Sequence, residues 1–236
     1  MLTACGGIQS KYPLDKQYWN PDDYDEVLRL VRFDTPGDER FPEFENQETS
    51  PIIRKLVDHQ NFLVILTDET LGLSYRNNIS DDFFDHYKTM ANTYRVTNEK
   101  DEFVYDDELI EIQKFGLDLQ LHYFKLGNDR ISKEADDPEA YNIKSLLSSN
   151  LRTVFSNYNN YLDLINNEKA FTSASLEAYA AGIDKWFPKL FESFPNGDFE
   201  ITEKKAKLML KKSESPVVKS SLEQLLSSIE DLKTTD

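Results

Sequence analysis

The amino-acid sequence predicts an all-α fold, an irregular bundle of about seven or eight helices. Three observations lead there. Helix-starting signals recur along the chain, apolar residues fall into stripes at helical spacing, and turn residues are scarce. With 8 Gly and 9 Pro in 236 residues, the chain lacks the composition from which turn-rich β architectures are built.

The elements follow in order. Asn20-Pro21-Asp22-Asp23 offers a capping side chain, a proline at the first helical position and acids facing the positive end of the helix dipole. The helix it opens carries Tyr24, Val27, Leu28 and Val31 and ends before Pro36-Gly37. Ser50-Pro51 repeats the device ahead of Ile52, Ile53, Leu56 and Val57. Phe62 to Leu66 alone has strand character, and without a partner strand it reads as a buried connector or a short helix. A long helix over Leu73 to Tyr94 places Tyr75, Ile79, Phe83, Tyr87, Met90 and Tyr94 on one stripe.

The next helix spans about Asp106 to Leu126, with Leu109, Ile112, Phe115, Leu119 and Tyr123 on its stripe, and stops at Gly127-Asn128. Asp137-Pro138 opens a helix to Asn166 with the stripe Leu147, Leu151, Phe155, Tyr158, Leu162 and Ile165. Thr172 caps one carrying Leu176, Tyr179, Ile183, Trp186, Phe187, Leu190 and Phe194, and Pro188 predicts a kink near Trp186. Thr202 and Ser215-Pro216 start two final helices, about 202–213 and 216–232.

Charge narrows the partners. A formal charge of −16 opposes the phosphate neutralisation on which nucleic-acid binding depends, so nucleic acid is excluded. The charge is uneven: residues 1–140 hold 15 Lys and Arg against 30 Asp and Glu, and residues 141–236 hold 12 against 13. The acidic first 140 residues are a solvated face or a surface for a basic protein partner.

At the amino end stand Leu2-Thr3-Ala4-Cys5, followed by Gly6-Gly7. An aliphatic residue, two small residues and a cysteine make a run that resembles the lipobox of bacterial lipoproteins. Cys5 is the only cysteine in the chain. The resemblance covers these four residues and implies cleavage before Cys5, acylation of its sulfur and anchoring to a membrane of the bacterial cell envelope. Export also requires an apolar signal stretch of about 7–15 residues ahead of the cleavage site. Only four residues precede Cys5, so this reading expects the reading frame to extend upstream of Met1. Without the anchor the protein would be cytoplasmic. The domain organisation expected is a lipobox and tether over 1–19 and a helical domain over 20–236. The longest near-continuous apolar run, Phe62 to Leu66, falls far short of the roughly 20 residues that span a bilayer.

Catalytic signatures are missing. His59, His86 and His122 do not pair with one another at metal-ligand spacing, although Asp118 with His122 and Asp82 with His86 stand four residues apart on expected helices. The acids from Glu99 to Glu111, including Asp106, Asp107 and Glu108, read as a helix start and not as a calcium loop, which wants a glycine at its sixth position. Phosphate loops and a Gly-x-Ser-x-Gly nucleophile elbow are absent. The lysines at 204, 205, 207, 211 and 212 read as the wet face of an amphipathic helix, with an anionic membrane surface as the alternative. The sequence therefore nominates no catalytic, cofactor-binding or metal-ligating residue, and Cys5 is its single site residue. The function expected is a lipid-anchored, non-catalytic structural or protein-interaction module. The alternatives are a lipoprotein that binds a small ligand such as a carbohydrate in an aromatic-lined groove, and a hydrolase using scattered carboxylates.

Overall fold

The computed structural model describes residues 12–30, 35–136 and 138–234. Cys5 and the rest of the lipobox-like run lie outside the described residues. The fold is all-α: α1 (Pro21–Leu30), α2 (Ser50–Leu56), α3 (Gln60–Leu66), α4 (Leu73–Thr93), α5 (Asp106–Lys133), α6 (Ala140–Asp163), α7 (Ser173–Ser193), α8 (Glu200–Lys212) and α9 (Pro216–Thr234). The only β pairing among the described residues is an isolated bridge between Thr97 and Phe103. The Phe62 to Leu66 run is helical, as α3, with Phe62 and Leu66 buried.

Packing divides the chain into two compact units, Met1–Leu119 and Gln120–Asp236. The division falls between consecutive residues of α5. The helical domain expected over 20–236 thus comprises the second unit and most of the first. The uneven charge follows it: the first unit holds 12 Lys and Arg against 25 Asp and Glu, the second 15 against 18.

In the first unit α1 and α3 pack on α4. Asn20 and Asp23 cap α1 reciprocally: Asp23 N–H donates to Asn20 Oδ1 at 3.0 Å, and Asn20 N–H donates to Asp23 Oδ2 at 3.1 Å. The described part of the segment just before α1, expected as tether, is held at its two ends, with Tyr12 and Trp19 buried and residues 15–18 exposed. Trp19 is fully buried and its indole N–H donates to the Pro13 carbonyl, while Lys55 Nζ donates to the Gln17 carbonyl.

Asn61, also fully buried, joins three elements. Its Oδ1 accepts from Trp19 N–H at 2.7 Å, and its Nδ2 meets Tyr24 Oη at 2.9 Å and the Lys55 carbonyl at 2.6 Å. Tyr24 in turn donates to the carbonyl of Leu56, the last residue of α2, which has no helical partner for it.

Several expectations need correction. The cap of α2 is Thr49, one residue before Ser50, and α6 begins at Ala140 behind Glu139, neither with a side-chain cap bond. Thr202 is no cap: it is buried inside α8, whose first turn is opened instead by Asp198 accepting from Glu200 N–H. Thr172 does cap α7, accepting from Ser175 N–H at 3.1 Å. α7 runs on through Pro188 to Ser193.

On α4 Tyr75 is 53% exposed, and the first buried positions are Arg76, Asn77 and Ser80. Arg76 turns inward because its Nη1 donates to the carbonyl of Leu66, the last residue of α3, at 3.1 Å. α5 passes Gly127-Asn128 and ends at Lys133. Gly127 is a packing glycine and not a terminator, since a Cβ there would lie 2.7 Å from Leu147 Cδ1.

Glu108, in the first turn of α5, is buried and accepts the Phe44 N–H, tying the loop before α2 to the helix. Burial pushes its carboxyl above the ordinary value of 4.5, the Phe44 hydrogen bond opposes this, and Asp107 and Glu43 add to the rise. A raised carboxyl in the folded state means that its stabilisation is complete below the unfolded-state value and is lost as pH rises through the folded-state value. Glu108→Gln keeps an acceptor for Phe44 without the buried charge. Its melting temperature should equal the parent's near pH 4 and exceed it increasingly toward pH 7, measured by circular dichroism. A variant that loses stability most at pH 7 would show that the ionised form is the one the fold requires.

Candidate functional site

Two of the histidines pair with carboxylates from other elements. His59 Nδ1 lies 2.8 Å from Oδ2 of the buried Asp118, and His86 Nε2 lies 2.7 Å from Asp25 Oδ1 on α1. The His59 ring packs against Phe62 and Phe115, both with centroids at 5.7 Å. A carboxylate-oriented imidazole is also two parts of a nucleophilic triad. Here neither residue lines a described cavity, and the pair joins the α2–α3 junction to α5. No group of three or more His, Cys, Asp or Glu side chains is arranged to hold a metal ion among the described residues.

The acids at 106–108 form the first turn of α5. Most of the α8 lysines are in ion pairs: Lys204 with Glu200, Lys205 with Asp163 and Lys207 with Glu203. Lys233 joins Glu203 as well, and the two lysines hold its carboxyl down at about 2. A wet helical face accounts for this pattern.

The second unit carries the feature with binding chemistry, a groove of about 940 Å³. One wall is α6, with Leu151, Arg152, Phe155, Ser156, Asn159 and Asn160; the other is the α7–α8 turn and the start of α8, from Phe194 through Asp198 to Ile201 and Lys205. The volume lies in the range of sites for drug-sized molecules. Its floor is an aromatic cluster. Phe155 stacks on Phe199 with centroids at 5.4 Å, Phe194 meets Phe155 at 5.4 Å and Phe124 at 5.9 Å, and Phe191 closes on Phe199 at 4.7 Å. Such ring contacts contribute about 0.5–1.5 kcal/mol each beyond their area and make the floor stiff. Leu151, 38% exposed, and Ile201, 62% exposed, form apolar lips.

Two polar groups of the groove lack a protein partner among the described residues. Asn159 is 7% exposed, and its buried Oδ1 has no donor among the described residues. An unpaired buried acceptor costs about 1–3 kcal/mol. Arg152 is exposed on the lip without an ion-pair partner among the described residues, whereas Lys205 beside it is committed to Asp163. The one carboxylate in the lining is Asp198. A second cavity of about 500 Å³, beside the start of α9, has its chief polar group occupied: Glu168 accepts from the Ser213 hydroxyl and from the N–H groups of Glu214 and Ser215.

No family model, curated protein or solved structure matches the chain. No helix among the described residues is long and apolar enough to cross a membrane.

The groove was not read from the sequence. Leu151 and Phe155 fall on the apolar stripe of α6, but that stripe is buried only at Leu147, Tyr158, Leu162 and Ile165. One signal was present. Asn157, Asn159 and Asn160 crowd the end of a helix, where asparagine is a poor former and needs a reason to stand. Replacing Asn159 with leucine should therefore leave the fold as stable or more so, by up to about 1 kcal/mol, since its Oδ1 has no donor among the described residues. Chemical denaturation checks this, and a loss of more than about 1 kcal/mol would assign Asn159 a structural bond.

Proposed function

We propose that this chain is a lipid-anchored protein of the bacterial cell envelope whose helical body is a non-catalytic interaction module, binding through the groove beside α6. The groove carries the binding half of this reading. It joins a preformed aromatic floor, two exposed aliphatic lips and the exposed Arg152, which is the composition of a recognition site. Its lining argues against hydrolysis there, because glycoside cleavage uses two carboxyl groups and the groove holds Asp198 alone. It also argues against the carbohydrate alternative. Neither Trp nor Tyr lines it, and Trp186 is buried with Lys185 and Lys189 over its ring at 4.3 and 4.1 Å.

The location half rests on Leu2-Thr3-Ala4-Cys5. Acyl chains on one cysteine hold a protein at a bilayer because each buried methylene contributes about 0.8 kcal/mol. Expressed with its native upstream codons in a bacterium fed radiolabelled palmitate, the protein should take up label and sediment with membranes. Cys5→Ser should do neither; equal fractionation of the two would overturn the placement.

The groove is tested separately with the apolar anionic dye bis-ANS. The folded protein should enhance its fluorescence, and Leu151→Glu with Ile201→Glu should remove most of the enhancement at unchanged melting temperature. Undiminished enhancement in that double variant would mean that the groove is not the binding face.

A further inference from the structure

α8 turns Thr202, Ala206 and Met209 into the body, where it packs against α6 and α9. Its opposite side carries Ile201, Lys204, Leu208, Lys211 and Lys212, all exposed and within about 100° of the helix circumference at 3.6 residues per turn. No carboxylate stands in that arc. Glu200 borders it and accepts from Lys204 at 2.6 Å, and Glu203, further round, is held by Lys207 and Lys233. Ile201 and Leu208 are 62% and 49% exposed, and Lys211 and Lys212 have no ion-pair partner among the described residues. We infer that this side of α8 is a docking surface for an anionic lipid bilayer.

The arrangement fits a lipid surface in three respects. Ile201 and Leu208 are seven residues apart, about 10 Å along the axis, so both reach the boundary between headgroups and acyl chains when the helix lies in the membrane plane. Lysine stems lie along apolar surface while their ammonium groups rise to the phosphates. The helix is already folded against α6 and α9, so docking orders no backbone.

An acidic protein fits this face less well. Protein interfaces are enriched in aromatic residues, Met and Arg and depleted in Lys, whereas the arc has no aromatic ring and lysine as its only polar residue type. Leu208 and Lys211, near its middle, line none of the described cavities, so no pocket waits there for an anchoring side chain. The overall charge of −16 opposes approach to an anionic surface, but such fields fall off over about 8 Å at physiological salt, so the charge at the contact decides. α8 itself carries five lysines against two glutamates. The inference stands apart from the groove and from acylation of Cys5. Where Cys5 is acylated, the anchor concentrates α8 at the bilayer, and a weak contact then suffices.

Vesicle sedimentation of the full, unacylated chain tests the assignment. At low salt the chain should pellet with vesicles of equal parts phosphatidylglycerol and phosphatidylcholine, and not with phosphatidylcholine alone. Lys211→Gln with Lys212→Gln should lower the partition coefficient about twenty-five-fold, about fivefold for each lysine, at unchanged melting temperature. An indole introduced by Leu208→Trp should be quenched by phosphatidylglycerol with brominated acyl chains, which contact with headgroups alone does not produce; Trp19 and Trp186 are buried and supply the unquenched background. Equal pelleting with both lipid mixtures, undiminished binding by the double lysine variant, an unquenched indole, or lysine-dependent binding to polyglutamate but not to vesicles would overturn the inference. Leu208, Lys211 and Lys212 do not line the groove and the chain used carries no acyl group, so this outcome is separate from those of the dye and the palmitate experiments.

Discussion

A core made largely from aromatic residues must give every buried tyrosine hydroxyl an acceptor, and this constraint organises both units. The chain has 15 Phe and 12 Tyr, and tyrosine supplies bulk at the cost of a polar tip that cannot be left dry. The tips are spent on carbonyls. Tyr24 donates to Leu56 at the end of α2, and Tyr94 donates to Pro42 in the loop before it. In the second unit Tyr161 and Tyr179 stack nearly parallel, with centroids at 5.0 Å, and each donates across the helix pair: Tyr161 to the Tyr179 carbonyl, Tyr179 to the Leu162 carbonyl. Each bond turns a packing contact into a directional one, so the rings fix which helix end meets which neighbour. Burial holds these phenols protonated. Those of Tyr24, Tyr94 and Tyr179 are pushed well above 10, and that of Tyr87, which donates to Gln113, to about 12.

Two buried asparagines differ in how fully the fold uses their amides. Asn61 uses its amide three times and holds Trp19, Tyr24 and Lys55 to one point. Asn159 is almost as buried and has an oxygen that nothing meets among the described residues. Folding leaves few buried acceptors unmet. Asn159 is one of several exceptions among the described residues, Gln120 being another, and it stands beside the exposed Leu151 and Ile201.

Much of the architecture was legible because it is local. The Asn20-Pro21 start, the Thr172 cap and the stripes of α5 to α7 are written within a few residues of where they act. Errors arose where a distant group overrode the local signal. Leu147 filled the space over Gly127 and let α5 continue; the free carbonyl of Leu66 drew Arg76 inward; Thr202 went into the core while Asp198 opened α8. The groove was hidden for the same reason. Periodicity marks Leu151 and Phe155 as apolar, but whether a neighbouring element covers them is not a local property.

The sequence by itself determined the all-α class, most helix starts, the acidity of the amino-terminal half and the lipobox-like run at Cys5, since each depends on residues adjacent in the chain. Tertiary structure alone decided the partition within α5, the histidine–aspartate pairings and the exposure of Leu151 and Ile201 along one groove. Those features arise between side chains far apart in the chain, whose meeting is set by competition for buried volume and for hydrogen-bond partners and not by any spacing along the backbone.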